Sequence, residues 1–139
     1  MALLGEWVHY KDDNFGAFLD VIGAPEENKK LASSIHPTVV FIKNDDDTYT
    51  MQVKGPKETM ESTFELDKEF SHMAGVGSLS GRRRRAIAKK LGEGKFEIRG
   101  LSADTAIDRV IETREVVDGD MVVTIEADGI TAKRYFKRP

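Results

Sequence analysis

Between Thr48 and Lys54 polar and apolar side chains alternate without a break. Tyr49, Met51 and Val53 fall on one side; Thr48, Thr50, Gln52 and Lys54 fall on the other. That two-residue period belongs to a strand with one face turned to a core. Similar short runs, rich in β-branched and aromatic residues, recur at 5–11, 38–43, 59–66, 69–73, 82–90, 95–101, 106–117, 120–127 and 130–137. Turn formers separate them, among them Asn44-Asp45-Asp46-Asp47, Gly55-Pro56, Gly92-Glu93-Gly94, Asp118-Gly119 and Asp128-Gly129. Asp-Gly between two such runs is a strong hairpin signal. About ten short strands at 8–12-residue spacing predict an all-β, antiparallel barrel or sandwich.

One interval has a different period. Phe15, Phe18, Leu19 and Ile22 lie at i, i+3, i+4 and i+7, the stripe of an amphipathic helix. Asn14 is its expected N-cap and Gly23 its stop. Pro25 suits the first turn of a second helix, which Glu26 and Glu27 favour and His36-Pro37 ends. The pair forms a helix-turn-helix over about 14–36. It predicts a small lid, in which Phe15, Phe18 and Leu19 pack and from which they are also expected to touch a ligand.

The length of 139 residues predicts one domain over 1–139, large enough to enclose a cavity. A net charge of −3 excludes a globally basic nucleic-acid binder, and no nucleic-acid partner is expected. Cysteine is absent, which removes disulfides and thiolate metal sites. The N-terminal stretch is too short and too soon charged for a signal peptide, and no apolar run approaches a membrane span. The expected location is cytoplasmic. His9, His36 and His72 are scattered, so no metal is expected. Nucleophile-elbow and phosphate-loop motifs are missing too, so neither a catalytic residue nor a cofactor is assigned.

Several strands lack a purely apolar face. Met60 shares its face with Ser62; Val110 shares with Glu112 and Arg114; Lys133 shares with Tyr135. A dry core does not take such groups without partners, whereas a wet cavity holding a polar-headed ligand does. If those faces point inward, Arg114, Lys133 and Tyr135 bring two cations and a phenol into an apolar hole. That combination suits a single carboxylate. Met51, Val53, Met60, Val123 and Ile125 are the expected wall, and Glu112, on the face of Arg114, neutralises part of its charge.

In order along the chain, several segments resemble the intracellular lipid-binding proteins, the family of fatty-acid-binding proteins and their retinoid-binding relatives. Gly5-Glu6-Trp7 resembles the family's Gly-x-Trp opening, and Asn14-Phe15 with Phe18-Leu19 its first lid helix. His36-Pro37-Thr38 resembles its Lys-Pro-Thr. Ser62-Thr63-Phe64-Glu65-Leu66 with Glu69-Phe70 is similar to its Ser-Phe-x-Leu-x-x-x-Phe stretch. Arg114-Glu115-Val116-Val117-Asp118-Gly119 and the end of the chain are similar to its Arg-Glu-Leu-x-Asp-Gly and its Thr-Arg-x-Tyr close.

The resemblance implies a ten-stranded, up-and-down, clam-shaped barrel capped by the helical lid. It implies a carrier of long-chain fatty acids or similar small lipids, with two arginines and a tyrosine holding the carboxylate. Arg114 and Tyr135 take two of these places, and Lys133 stands where the second arginine is expected. The tail supplies affinity: fifteen buried methylenes contribute on the order of 12 kcal/mol before ordering costs. Lys29 and Lys30 suit transient contact with anionic membranes. The expected carrier is a monomer. Alternatives are a lipid sensor acting through a partner or nuclear delivery, with Arg82–Arg85 as its basic patch, and a carrier of a less acidic ligand such as a retinoid.

Overall fold

The computed structural model describes the chain except residues 1, 24, 28, 31–35, 56–58, 74–82 and 102–107, with backbone alone at 73, 83 and 84. Its elements are β1 (Gly5–Asp13), α1 (Phe15–Val21), β2 (Thr38–Lys43), β3 (Tyr49–Lys54), β4 (Thr59–Phe64), β5 (Glu69–Met73), β6 (Arg83–Gly92), β7 (Lys95–Gly100), β8 (Ile111–Val117), β9 (Asp120–Ala127) and β10 (Ile130–Lys137). All ten strands form one antiparallel sheet in the order β4-β3-β2-β1-β10-β9-β8-β7-β6-β5. Pairing of β1 with β10 rolls the sheet into a barrel, and its two ends, β4 and β5, come alongside each other.

Among the described residues no ladder joins β4 to β5. Side chains bridge that seam instead. The rings of Phe64 and Phe70 lie 5.1 Å apart, and Ser62 and His72 are hydrogen-bonded at 3.3 Å. Phe64 also meets Phe96 from the far side of the barrel, at 5.8 Å, and Phe96 meets Phe41 edge-on at 5.5 Å. Such aromatic pairs are favoured beyond the area they bury. One end is closed by Trp7, which donates to the Leu3 carbonyl at 2.9 Å beneath the Arg138 guanidinium.

The Asp-Gly hairpins form as expected. Asp118 and Gly119 have φ of 51° and 86°, Asp128 and Gly129 of 48° and 83°. Two successive positive φ values define the turn whose twist matches that of paired strands.

Two boundaries and one cap bond differ from the sequence expectation. The first strand does not break at Asp12. A bulge between His9 and Lys11 absorbs one residue, and pairing resumes with Asp12 opposite Arg134 and Asp13 opposite Lys133. The strand expected from 106 begins only at Ile111, after the buried Asp108 and Val110. Asn14 sits at the N-cap with φ 61° but makes no cap bond; its side chain donates to the Thr131 carbonyl at 3.0 Å, tying α1 to β10.

α1 buries Phe15, Phe18 and Leu19 as its stripe requires. Residues 26–27 and 29–30 are helical as well, and the Lys29 N–H donates to the Pro25 carbonyl. The rest of the expected second helix lies outside the described residues. Lys29 bonds Asp20 of α1 and Glu26, so it ties the helical segments together. No helix among the described residues is long and apolar enough to cross a membrane.

Phe64 is the hinge pin of the seam. Phe64→Ala is expected to lower unfolding free energy by about 3–5 kcal/mol, the range for truncating a buried phenylalanine, as read by urea denaturation.

Candidate functional site

Strand alternation decides which side chains reach the barrel interior. On β8, Glu112 and Arg114 are buried, 0% and 4% exposed. On β9 the inward residues are Met121, Val123, Ile125 and Ala127. On β10 they are Ala132, Arg134 and Phe136. The expected inward pair Lys133 and Tyr135 lies on the opposite face: Lys133 is exposed, and the half-buried Tyr135 ring packs under Lys11 Nζ at 4.5 Å on the outside of the barrel. The reason is register. The Asp128-Gly129 turn sets Ile130 opposite Ala127, which puts Ala132 opposite Ile125 and Arg134 opposite Val123. The second interior cation of this strand is therefore Arg134, and the aromatic residue beyond it is Phe136, which has no hydroxyl.

Arg114 also pairs with Val123, from β8. Arg114, Val123 and Arg134 thus form one rung across three strands, which spaces the two arginines' Cα atoms by about 10 Å. The rung continues to Asp12 on β1 and to Phe96 on β7. Both guanidiniums lie over aromatic rings, Arg114 at 5.7 Å from Phe41 and Arg134 at 4.2 Å from Phe15 of α1.

Each arginine has a carboxylate. Arg114 Nε donates to Glu112 at 3.0 Å, and Arg134 Nε donates to Asp12 at 2.9 Å. Arg114 Nη1 is buried and has no hydrogen-bond partner. A buried donor left so costs about 1–3 kcal/mol, which an acceptor brought to it recovers. Glu112 in turn faces His72 Nε2 at 3.6 Å, and His72 Nδ1 reaches Ser62 across the seam.

At the other end, His9 Nε2 lies 2.7 Å from Asp12, and His9 Nδ1 lies 3.0 Å from His36 Nδ1. The two imidazoles stack at 5.1 Å. His9 and His36, far apart in sequence, therefore meet in space, while His72 lies at the seam. Among the described residues no group of three His, Cys, Asp or Glu side chains is arranged to hold a metal ion.

Burial pushes the Asp12 carboxyl up, but the His9 hydrogen bond and the Arg134 guanidinium outweigh it and hold the group below its ordinary value. Burial pulls Arg134 down; Asp12 opposes that and the charge of Arg114 adds to it. Two cations on one rung both favour an anion placed between them.

The remaining expected site residues divide by depth. Phe15, Phe18, Leu19, Met51, Val123 and Ile125 are buried; Val53 and Met60 are half-buried near the rim. Of the basic run, Arg85 is exposed and paired with Glu69; the side chains of residues 82–84 lie outside the described set. Arg134, Asp12, His9 and His72 were missing from the expected site. The signal for Arg134 was present in the two-residue turn. The signal for Asp12 was hidden by the bulge.

No family model matches the chain. A fatty acid-binding protein of Tyrophagus putrescentiae is 30% identical over 138 residues, covering 99% of this chain and 98% of that protein. One from Schistosoma japonicum is 29% identical over 137 residues, covering 99% and 98%. Among solved structures, a Schistosoma mansoni fatty acid binding protein in complex with arachidonic acid superimposes with a TM-score of 0.85 at 24% identity, covering 99% of this chain and 96% of that one.

A depressed carboxyl stabilises the fold above its unfolded value of about 3.9, and that contribution is lost as pH falls through the lower folded value. Asp12→Asn should therefore shrink the loss in urea midpoint between about pH 6 and pH 3. An unchanged pH profile would contradict the Asp12–Arg134 pairing.

Proposed function

The chain belongs to the fatty-acid-binding protein family, and on that premise we propose that it binds a long-chain fatty acid in the barrel and carries it between membranes. The carboxylate lies on the Arg114–Val123–Arg134 rung, and the tail runs along Phe18, Met51, Val123 and Ile125, with Val53 and Met60 at its exit. The observation that carries this reading is the rung itself: two buried guanidiniums at one level, with Arg114 Nη1 unfilled. An Arg fork suits a carboxylate better than a lysine does, so Arg134 serves where a Lys133 site would have been weak.

The role is carriage without chemistry on the ligand. The protein works as a cytoplasmic monomer whose helical lid touches anionic membranes briefly during transfer. Because Asp12 and Glu112 already sit on the two guanidiniums, a second reading is a ligand with a less acidic head, such as a retinoid.

Displacement of a fluorescent fatty acid separates these readings. Oleate should displace it and Arg114→Ala or Arg134→Ala should weaken oleate about tenfold or more, the cost of one charged hydrogen bond, while the apolar tail keeps binding measurable. Lys133→Ala should leave oleate binding unchanged. If retinol outcompetes oleate in the unaltered chain, the second reading takes its place.

A further inference from the structure

The fatty-acid reading leaves one arrangement unused. From the surface inward run His36, exposed; His9, 4% exposed; Asp12; and Arg134, 6% exposed, each within hydrogen-bond distance of the next. Asp12 is an acceptor in this chain, since it receives from Arg134 Nε. His9 Nε2 must then carry the proton that points at Asp12, which leaves His9 Nδ1 as an acceptor for the Nδ1–H of His36. All the donors point inward, toward the carboxylate that occupies Arg134.

A fatty-acid carboxylate arriving at Arg134 meets Asp12 already there. Two carboxylates at one guanidinium in a poorly solvated space repel, and such a pair stabilises the proton-bound form of its surroundings. Among the described residues the groups facing His9 are few. Asp12 comes from β1, His36 and the Pro37 carbonyl from the segment before β2, and Arg134 and Phe136 from β10. Arg114 lies beyond Arg134, and α1 contributes only the uncharged Phe15. Asp12 is the one anion in that set.

Resting on the fatty-acid reading, we propose that Asp12 is a built-in competitor for the ligand carboxylate at Arg134, and that the His36–His9 pair delivers the proton that cancels it. Fatty acid therefore binds with uptake of a proton from solvent. The balance is simple. A solvent proton adds to His36 Nε2, the Nδ1 proton of His36 moves to His9 Nδ1, and the imidazolium of His9 pairs with Asp12. Arg134 is released to the ligand, and no other bond changes. Ligand affinity therefore rises as pH falls.

The test is calorimetry of the full chain with monomeric oleate, in phosphate and in Tris at the same neutral pH. The difference in heat between buffers of unlike ionisation enthalpy counts protons exchanged. The unaltered chain should take up roughly half to one proton per oleate bound. His9→Gln should abolish the uptake. Asp12→Asn should abolish it too, and should bind oleate about tenfold more tightly than the unaltered chain at pH 8, where little proton is on hand to cancel the competitor. Oleate binding without net proton exchange in the unaltered chain overturns the proposal and leaves the carrier reading standing. Uptake that persists in Asp12→Asn overturns it as well, even if His9→Gln does not fold. Failure of oleate to bind at all removes the carrier reading and this inference with it.

Discussion

A guanidinium inside a barrel of hydrocarbon cannot be left alone. Arginine keeps its charge at any ordinary pH, so the surrounding structure must supply the counter-charge and the acceptors. This chain places two such groups at one level of the barrel and gives each a single carboxylate, Asp12 for Arg134 and Glu112 for Arg114. Much else follows from satisfying them. The bulge in β1, the burial of Glu112, the seating of Phe15 over Arg134 and of Phe41 near Arg114 all serve cations that a packed core would have excluded.

Those pairings are also what makes the interior a site. A fully satisfied ion pair is structural; one with a donor left over is receptive. Arg114 Nη1 is that donor, buried in a barrel whose interior is otherwise lined mainly by apolar side chains from several strands. In the proposed site, head-group recognition thus needs little beyond a single acceptor placed between β8 and β10.

The barrel was legible because its signals are local: alternation at Tyr49, Met51 and Val53, and Asp-Gly turns whose backbone angles leave little choice. The lid helix was legible from four spaced apolar residues. The site was legible only in part, because parity on β10 is ambiguous when inspected alone. Lys133-Arg134 offers a cation to both faces, and Tyr135-Phe136 an aromatic to both. What resolves it is not on that strand. Val123 and Ile125 face inward on β9, and a two-residue turn carries their parity across to Arg134 and Ala132. Asp12 was beyond reach for a different reason. It follows a bulge, and an inserted residue reverses alternation without any mark in the composition.

The seam between β4 and β5 has a mechanical meaning. Everywhere else the circumference of the barrel is set by main-chain ladders, whose spacing of about 4.8 Å does not stretch. Along this one line the hoop is fastened by Phe64 against Phe70 and by Ser62 against His72. Rings slide and a hydroxyl rotates at small cost, while a ladder must break. Among the described residues the girth of the vessel is therefore least fixed along this one line, where β4 can part from β5 while the nine ladders of the sheet stay in register.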